Sequence, residues 1–118
     1  MKYFSIYVPS ANNRNPPTPA QQEAMGKFVG DAAARGEFLT GGGFASLAKE
    51  GLVVRRTNGK ASVVDGPYVE SKELIGGFAM LEYASHEAAL AGVKRFLEVA
   101  GDGECVTYRI DEGPRPEA

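Results

Sequence analysis

The residue pattern predicts an α+β domain: a ferredoxin-like two-layer sandwich with an inserted hairpin. Three observations carry this. Stretches of period-two alternation and stretches of helical spacing follow one another in the order β-α-β-(hairpin)-β-α-β. An Asn58-Gly59 pair joins two β-rich runs, the strongest short-range hairpin signal. The length, 118 residues, suits one core and leaves too little chain for two.

The first strand is expected over Lys2–Val8, with Phe4, Ile6 and Val8 on one face and Tyr3, Ser5 and Tyr7 on the other. Pro9 to Pro19, rich in proline and asparagine, reads as an exposed connector, or a flap given its length. A helix then starts at Thr18, which can form a capping box with Gln21, while Pro19 suits the first helical position. Met25, Phe28, Val29 and Ala32 form its apolar stripe, and Arg35-Gly36 ends it. Gly26 and Gly30, one turn apart, suggest close approach of a neighbour.

A second strand falls within Glu37–Ser46. Its Gly41-Gly42-Gly43 run marks a bulge or close backbone passage, the alternative being a nest of N–H groups for an anion. Leu52–Thr57 and Lys60–Val64 form the hairpin, and Gly76–Glu82 the next strand, with Phe78 and Met80 opposed to Ala79 and Leu81. Ser85 caps a second helix whose stripe is Ala89, Val93, Phe96 and Leu97, and Gly101-Asp102-Gly103 stops it. Cys105–Ile110 is the last strand. Residues 1–111 thus form a single domain and 112–118 a loose tail.

Composition narrows the function classes. Thirteen basic against fifteen acidic side chains argue against a nucleic-acid surface. One cysteine and one histidine allow neither an internal disulfide nor a zinc-type ligand set, so no metal and no cofactor is expected. No apolar run approaches the ~20 residues that span a bilayer, and the opening strand is unlike a signal peptide. A cytoplasmic protein with no membrane partner is expected. A two-layer sandwich leaves one sheet face uncovered. With Phe4, Ile6 and Val8 turned to the helices, Tyr3 and Tyr7 would lie on that bare face, which a second copy of the chain should cover, making a homodimer.

Between hairpin and late strand lies Val63-Val64-Asp65-Gly66-Pro67-Tyr68-Val69-Glu70-Ser71-Lys72-Glu73, followed by Ile75-Gly76-Gly77-Phe78. This segment resembles the signature of the YCII-related (DGPF-domain) family, D-G-P-[FY]-x-E-x-K-E ahead of G-G-[FY], and the resemblance extends over nearly the whole chain. It implies a ferredoxin-like fold paired into a dimeric α+β barrel, and for some members an association with sigma factors. For the YCII branch it also implies a His-Asp pair in a cleft that supports dehalogenase-like chemistry. Here the first helix has no histidine and the only one, His86, opens the second helix, so that pair has no residue to land on.

Asp65 carries the candidate chemistry, as a carboxylate base or ligand anchor at a strand end; the competing role is turn formation with Gly66-Pro67. Tyr68, Glu70 and Lys72 are candidate ligand-binding residues beside it. Glu70 and Lys72 share a side if the segment is extended, or else form a surface ion pair. Tyr7 is a further candidate for pocket lining. The reading is a homodimeric module binding a small molecule in a cleft between sheet face and partner. The alternatives are a cofactor-independent lyase or isomerase using Asp65 and an interaction module tied to sigma-factor regulation.

Overall fold

The computed structural model describes residues 1–44, 51–64 and 76–113. Asp65, Tyr68, Glu70 and Lys72, and residues 114–118 of the expected tail, lie outside the described residues. The elements are β1 (Lys2–Pro9), α1 (Pro19–Ala34), β2 (Phe38–Gly43), β3 (Val53–Thr57), β4 (Lys60–Val64), β5 (Gly77–Glu82), α2 (His86–Ala100) and β6 (Gly103–Arg109). They make a mixed α+β fold: an antiparallel sheet of order β2-β5-β1-β6, a separate β3-β4 hairpin, and two helices. No described helix is long and apolar enough to cross a membrane.

Local chemistry sets the boundaries. Thr18 and Gln21 form the reciprocal capping box that starts α1. Ser85 accepts from the Ala88 amide at 3.1 Å and starts α2, while Gly101, at φ 89°, ends it. The hairpin turns through Asn58 and Gly59 at φ 52° and 81°, the left-handed pair that matches strand twist.

Strand β1 is central. It pairs with β5 on one edge and β6 on the other, so Ile6 lies between Phe78 and Val106, and Phe4 between Met80 and Tyr108. The alternate residues Tyr3, Ser5 and Tyr7 face the helices. Tyr3 is 4% exposed in a cluster with Tyr83 and Ala89, packed edge-on to Tyr83 at 6.2 Å. Tyr7 meets Phe96 of α2 at 5.4 Å, and Phe96 in turn meets Phe28 of α1. This reverses the expected face assignment: Phe4, Ile6 and Val8 point away from the helices, and Tyr3 and Tyr7 do not form the bare face. The reason is hydroxyl satisfaction. A tyrosine tucked under a helix end finds carbonyl acceptors there, and Ser5, 8% exposed, shares a 2.9 Å hydrogen bond with Thr107 across the strands.

The glycines of β2 settle the structural alternative. The strand runs through them after an irregularity between Phe38 and Thr40, and a Cβ on Gly41 would lie 2.6 Å from the Phe78 carbonyl oxygen. Gly26 and Gly30, by contrast, have no described atom of the chain within 4 Å of where a Cβ would stand.

Helix α2 is packed closely on Tyr83, the residue after β5, at Gly92, where a Cβ would fall 2.2 Å from the Tyr83 hydroxyl and 2.6 Å from its Cζ. In an open helix Gly→Ala would gain about 1 kcal/mol of propensity. Gly92→Ala should instead destabilise the protein, by about 1–3 kcal/mol for forced overpacking, as measured by urea unfolding.

Candidate functional site

Two regions of the folded chain have the makings of a site, and they lie on opposite faces of the sheet. On the helix side, the loop after β1 is tied to the α2–β6 turn. The Ser10 amide donates to the Asp102 carbonyl at 3.0 Å, and Asn13 donates its side-chain amide to the Ala100 and Asp102 carbonyls at 3.0 and 3.1 Å and to the Tyr7 hydroxyl at 3.1 Å. The Tyr7 hydroxyl has the Gly101 and Asp102 carbonyls within 3.1 Å as acceptors. Tyr7 and Asn13 thereby occupy carbonyls that the end of α2 would otherwise leave unpaired. The loop is a pinned connector rather than a flap, and Tyr7 is the centre of a clasp.

Burial raises the Tyr7 phenol above its ordinary 10.0, against the opposing effect of the Asn13 hydrogen bond. Tyr83 is raised by burial and by Glu37, and the Cys105 thiol is raised from 9.0 by burial, with a hydrogen bond to Ser5 acting the other way. At neutral pH these groups hold their protons, so Tyr7 acts as a hydrogen-bond donor rather than a base.

At the other end of the helix layer, a groove of about 600 Å³ lies between Tyr83, Glu82, Arg35, Glu37 and Arg95. Arg35 is paired with Glu37, and Glu82 accepts from the N-terminal ammonium at 3.3 Å through one carboxylate oxygen.

The opposite face of the sheet is different in kind. Phe4, Ile6, Val8, Phe78, Met80, Val106 and Tyr108 share it by register, and no described helix covers it. Phe78 stands between Phe4 at 6.0 Å and Phe44 at 5.3 Å, while Phe44 and Tyr108 are more than half exposed. Glu104, opposite Val8, puts a carboxylate at the rim. The segment holding Asp65, Tyr68, Glu70 and Lys72 precedes β5 in sequence, and β5 turns Phe78 and Met80 to this face.

Of the sequence-derived candidates, then, Tyr7 sits on the helix side, apart from the open face, and the other four lie outside the described residues. His86 is exposed at the start of α2. Among the described residues no group of three His, Cys, Asp or Glu is placed to hold a metal ion. The aromatic residues of the open face were missed in the sequence because they looked like core. The signal available was the shared parity of Phe4 and Ile6 with a strand carrying both Phe78 and Met80.

Comparison with known proteins bears on this arrangement. The YCII-related domain family matches residues 1–110. No curated protein matches the chain. Among solved structures, it is similar to 5-chloro-2-hydroxyhydroquinone dehydrochlorinase (TftG) from Burkholderia phenoliruptrix AC1100 in complex with 2,5-dihydroxybenzoquinone. The TM-score is 0.52 and the identity 14%, over 96% of each chain.

Two outcomes follow for the clasp. Tyr7→Phe keeps the ring on Phe96 and removes the hydroxyl, so a stability loss of about 0.5–1.5 kcal/mol is expected in chemical denaturation. Because Tyr7, Tyr83 and Cys105 hold protons more tightly folded than unfolded, the unfolded chain releases them first as pH rises. Their contribution is fully present below about pH 9 and is lost as pH rises through 9 to 10 and beyond. Melting temperatures across that range should fall, and less steeply in Tyr7→Phe.

Proposed function

The chain belongs to the YCII-related domain family, and from that premise we propose that it is a homodimer. In this reading it holds a small, planar, oxygen-bearing molecule in a cleft between its open sheet face and its partner. The observation that carries the reading is the uncovered face itself. Phe4, Phe44, Phe78 and Tyr108 offer ring surfaces at the centre and margin of a patch that is costly to leave in water.

The strand order β2-β5-β1-β6, with both helices against the Tyr3/Tyr7 side, supports a ferredoxin-like unit, and two such units meeting by their open faces make a dimeric α+β barrel. Rings are suited to planar ligands, and polar groups are then needed to orient them. Asp65, Tyr68, Glu70 and Lys72 supply these in our reading, since in sequence they stand just ahead of the strand that carries Phe78. Tyr7 serves the clasp that holds the loop after β1.

A second reading is favoured by the likeness to a dehydrochlorinase: Asp65 acts as the base in a cofactor-independent elimination or isomerisation. A carboxylate is the natural base because the only histidine, His86, opens a helix that packs on the other side of the sheet.

Sedimentation equilibrium should give a mass twice 12.5 kDa at micromolar concentration, and Phe78→Glu, which places a charge in the middle of the face, should split the dimer. A stable monomer of the unaltered protein would overturn the reading. With 2,5-dihydroxybenzoquinone as the probe, the melting temperature should rise with concentration, as mass action requires. Asp65→Asn retains the turn acceptors, so it should cost about 1 kcal/mol or less while abolishing that rise. An undiminished rise in both Asp65→Asn and Glu70→Gln would make the segment scaffold alone.

A further inference from the structure

The β3–β4 hairpin has no place in the sheet, and its surroundings are unusual for a strand pair. Among the described elements, β3 and β4 pack chiefly on each other. One face of the hairpin carries Val54 directly opposite Val63, with Ala61 opposite Arg56, and Leu52 precedes the strand. Leu52, Val54 and Val63 are 72%, 55% and 65% exposed. A two-stranded hairpin by itself is marginally stable in water, and an apolar stripe left bare on it makes matters worse. The chain is correspondingly spread out: its Cα radius of gyration is 17.1 Å, against about 13–14 Å for a compact domain of this length, and its extents are 49 × 44 × 19 Å.

The same chain thus presents two unpartnered apolar surfaces, the sheet face and the hairpin stripe. Their charges complement each other. Residues 51–64 contain Arg55, Arg56 and Lys60 and no acidic residue, whereas the sheet face carries Glu104 at its rim beside Val8, and Lys2 at the far end of that face is paired with Glu112 at 3.8 Å. Among the described residues of one chain the two surfaces are not packed on each other. A two-fold dimer brings each within reach of its counterpart on the other copy, and satisfies both twice over.

We propose that the hairpin is an arm that docks on a second copy of this chain. It lays Leu52, Val54 and Val63 along the margin of the partner's open sheet face and brings Arg56 toward Glu104 of the partner subunit. This rests on the dimer reading above and adds to it: each cleft is walled in part by the other protomer's arm, and a cation at its rim comes from across the interface. A ligand held there would meet Arg56 of the neighbouring chain rather than its own.

The test uses the full chain with Leu52→Ser, Val54→Ser and Val63→Ser combined. All three side chains are exposed in the single chain, so the circular dichroism of the variant should match that of the parent. Its dimer dissociation constant, measured by sedimentation, should rise at least tenfold. In parallel, carbodiimide cross-linking of a mixture of ¹⁵N-labelled and unlabelled protein should join Lys60 to carboxylates of the sheet rim in peptide pairs of mixed isotope. An unchanged dissociation constant, or Lys60 cross-links only within one isotope, would overturn the arm while leaving the dimer intact. A monomeric parent protein would instead remove the dimer reading and the arm with it, so the two failures are told apart by the parent's mass. Should the triple variant fail to fold, the isotope pattern of the parent protein decides.

Discussion

Strand β1 is bonded along both edges, to β5 and to β6, and it carries bulky side chains on both faces. A strand in that position needs cover on two sides, yet both described helices lie on one of them. The fold follows from how that single shortage is handled. On the helix side the hydroxyls of Tyr7 and Ser5 meet the end of α2 and Thr107; on the other side β1 presents Phe4, Ile6 and Val8, over which no described helix lies.

Period-two alternation separated the two faces of β1 correctly and labelled them the wrong way round. Tyr3, Ser5 and Tyr7 look like an outward face on hydropathy alone. Their polarity is carried by single hydroxyls, all of which find partners (the Met1 sulfur for Tyr3, Thr107 for Ser5, Asn13 and the carbonyls after α2 for Tyr7), and the remainder of each tyrosine is ring. Phe4, Ile6 and Val8 look like core, and in a monomer they would be. Alternation reports that two environments exist; it does not report which lies under the helices when both are apolar. The elements whose signals are local fared better. Thr18 with Gln21, Ser85, Asn58-Gly59 and Gly101 each fix a boundary through hydrogen bonds or dihedral angles spanning a few residues, and each stands where the sequence placed it.

The legibility of the site is uneven for a related reason. The Asp65–Glu73 segment announces itself through an uncommon run of residue types, but its role depends on long-range placement that no spacing rule encodes. The open face is the converse: its residues are ordinary hydrophobes, individually silent, and only the register of three strands gathers Phe4, Phe78, Met80 and Tyr108 into one surface. Tyr7 drew notice as an aromatic in the first strand, and its partners Asn13, Ala100 and Asp102 lie 6, 93 and 95 residues away. The nearest of them sits in a loop that reads as featureless.

The central position of β1 also governs how the chain can be made. Tyr3 is paired with Arg109, and Lys2 with Glu82, so neither edge of the first strand can be closed until most of the polypeptide exists. Pairings of such long sequence separation carry the full entropy of loop closure and form late. The closure of the β1–β5 and β1–β6 ladders, rather than the formation of either described helix, is therefore the step expected to set the pace of refolding from denaturant.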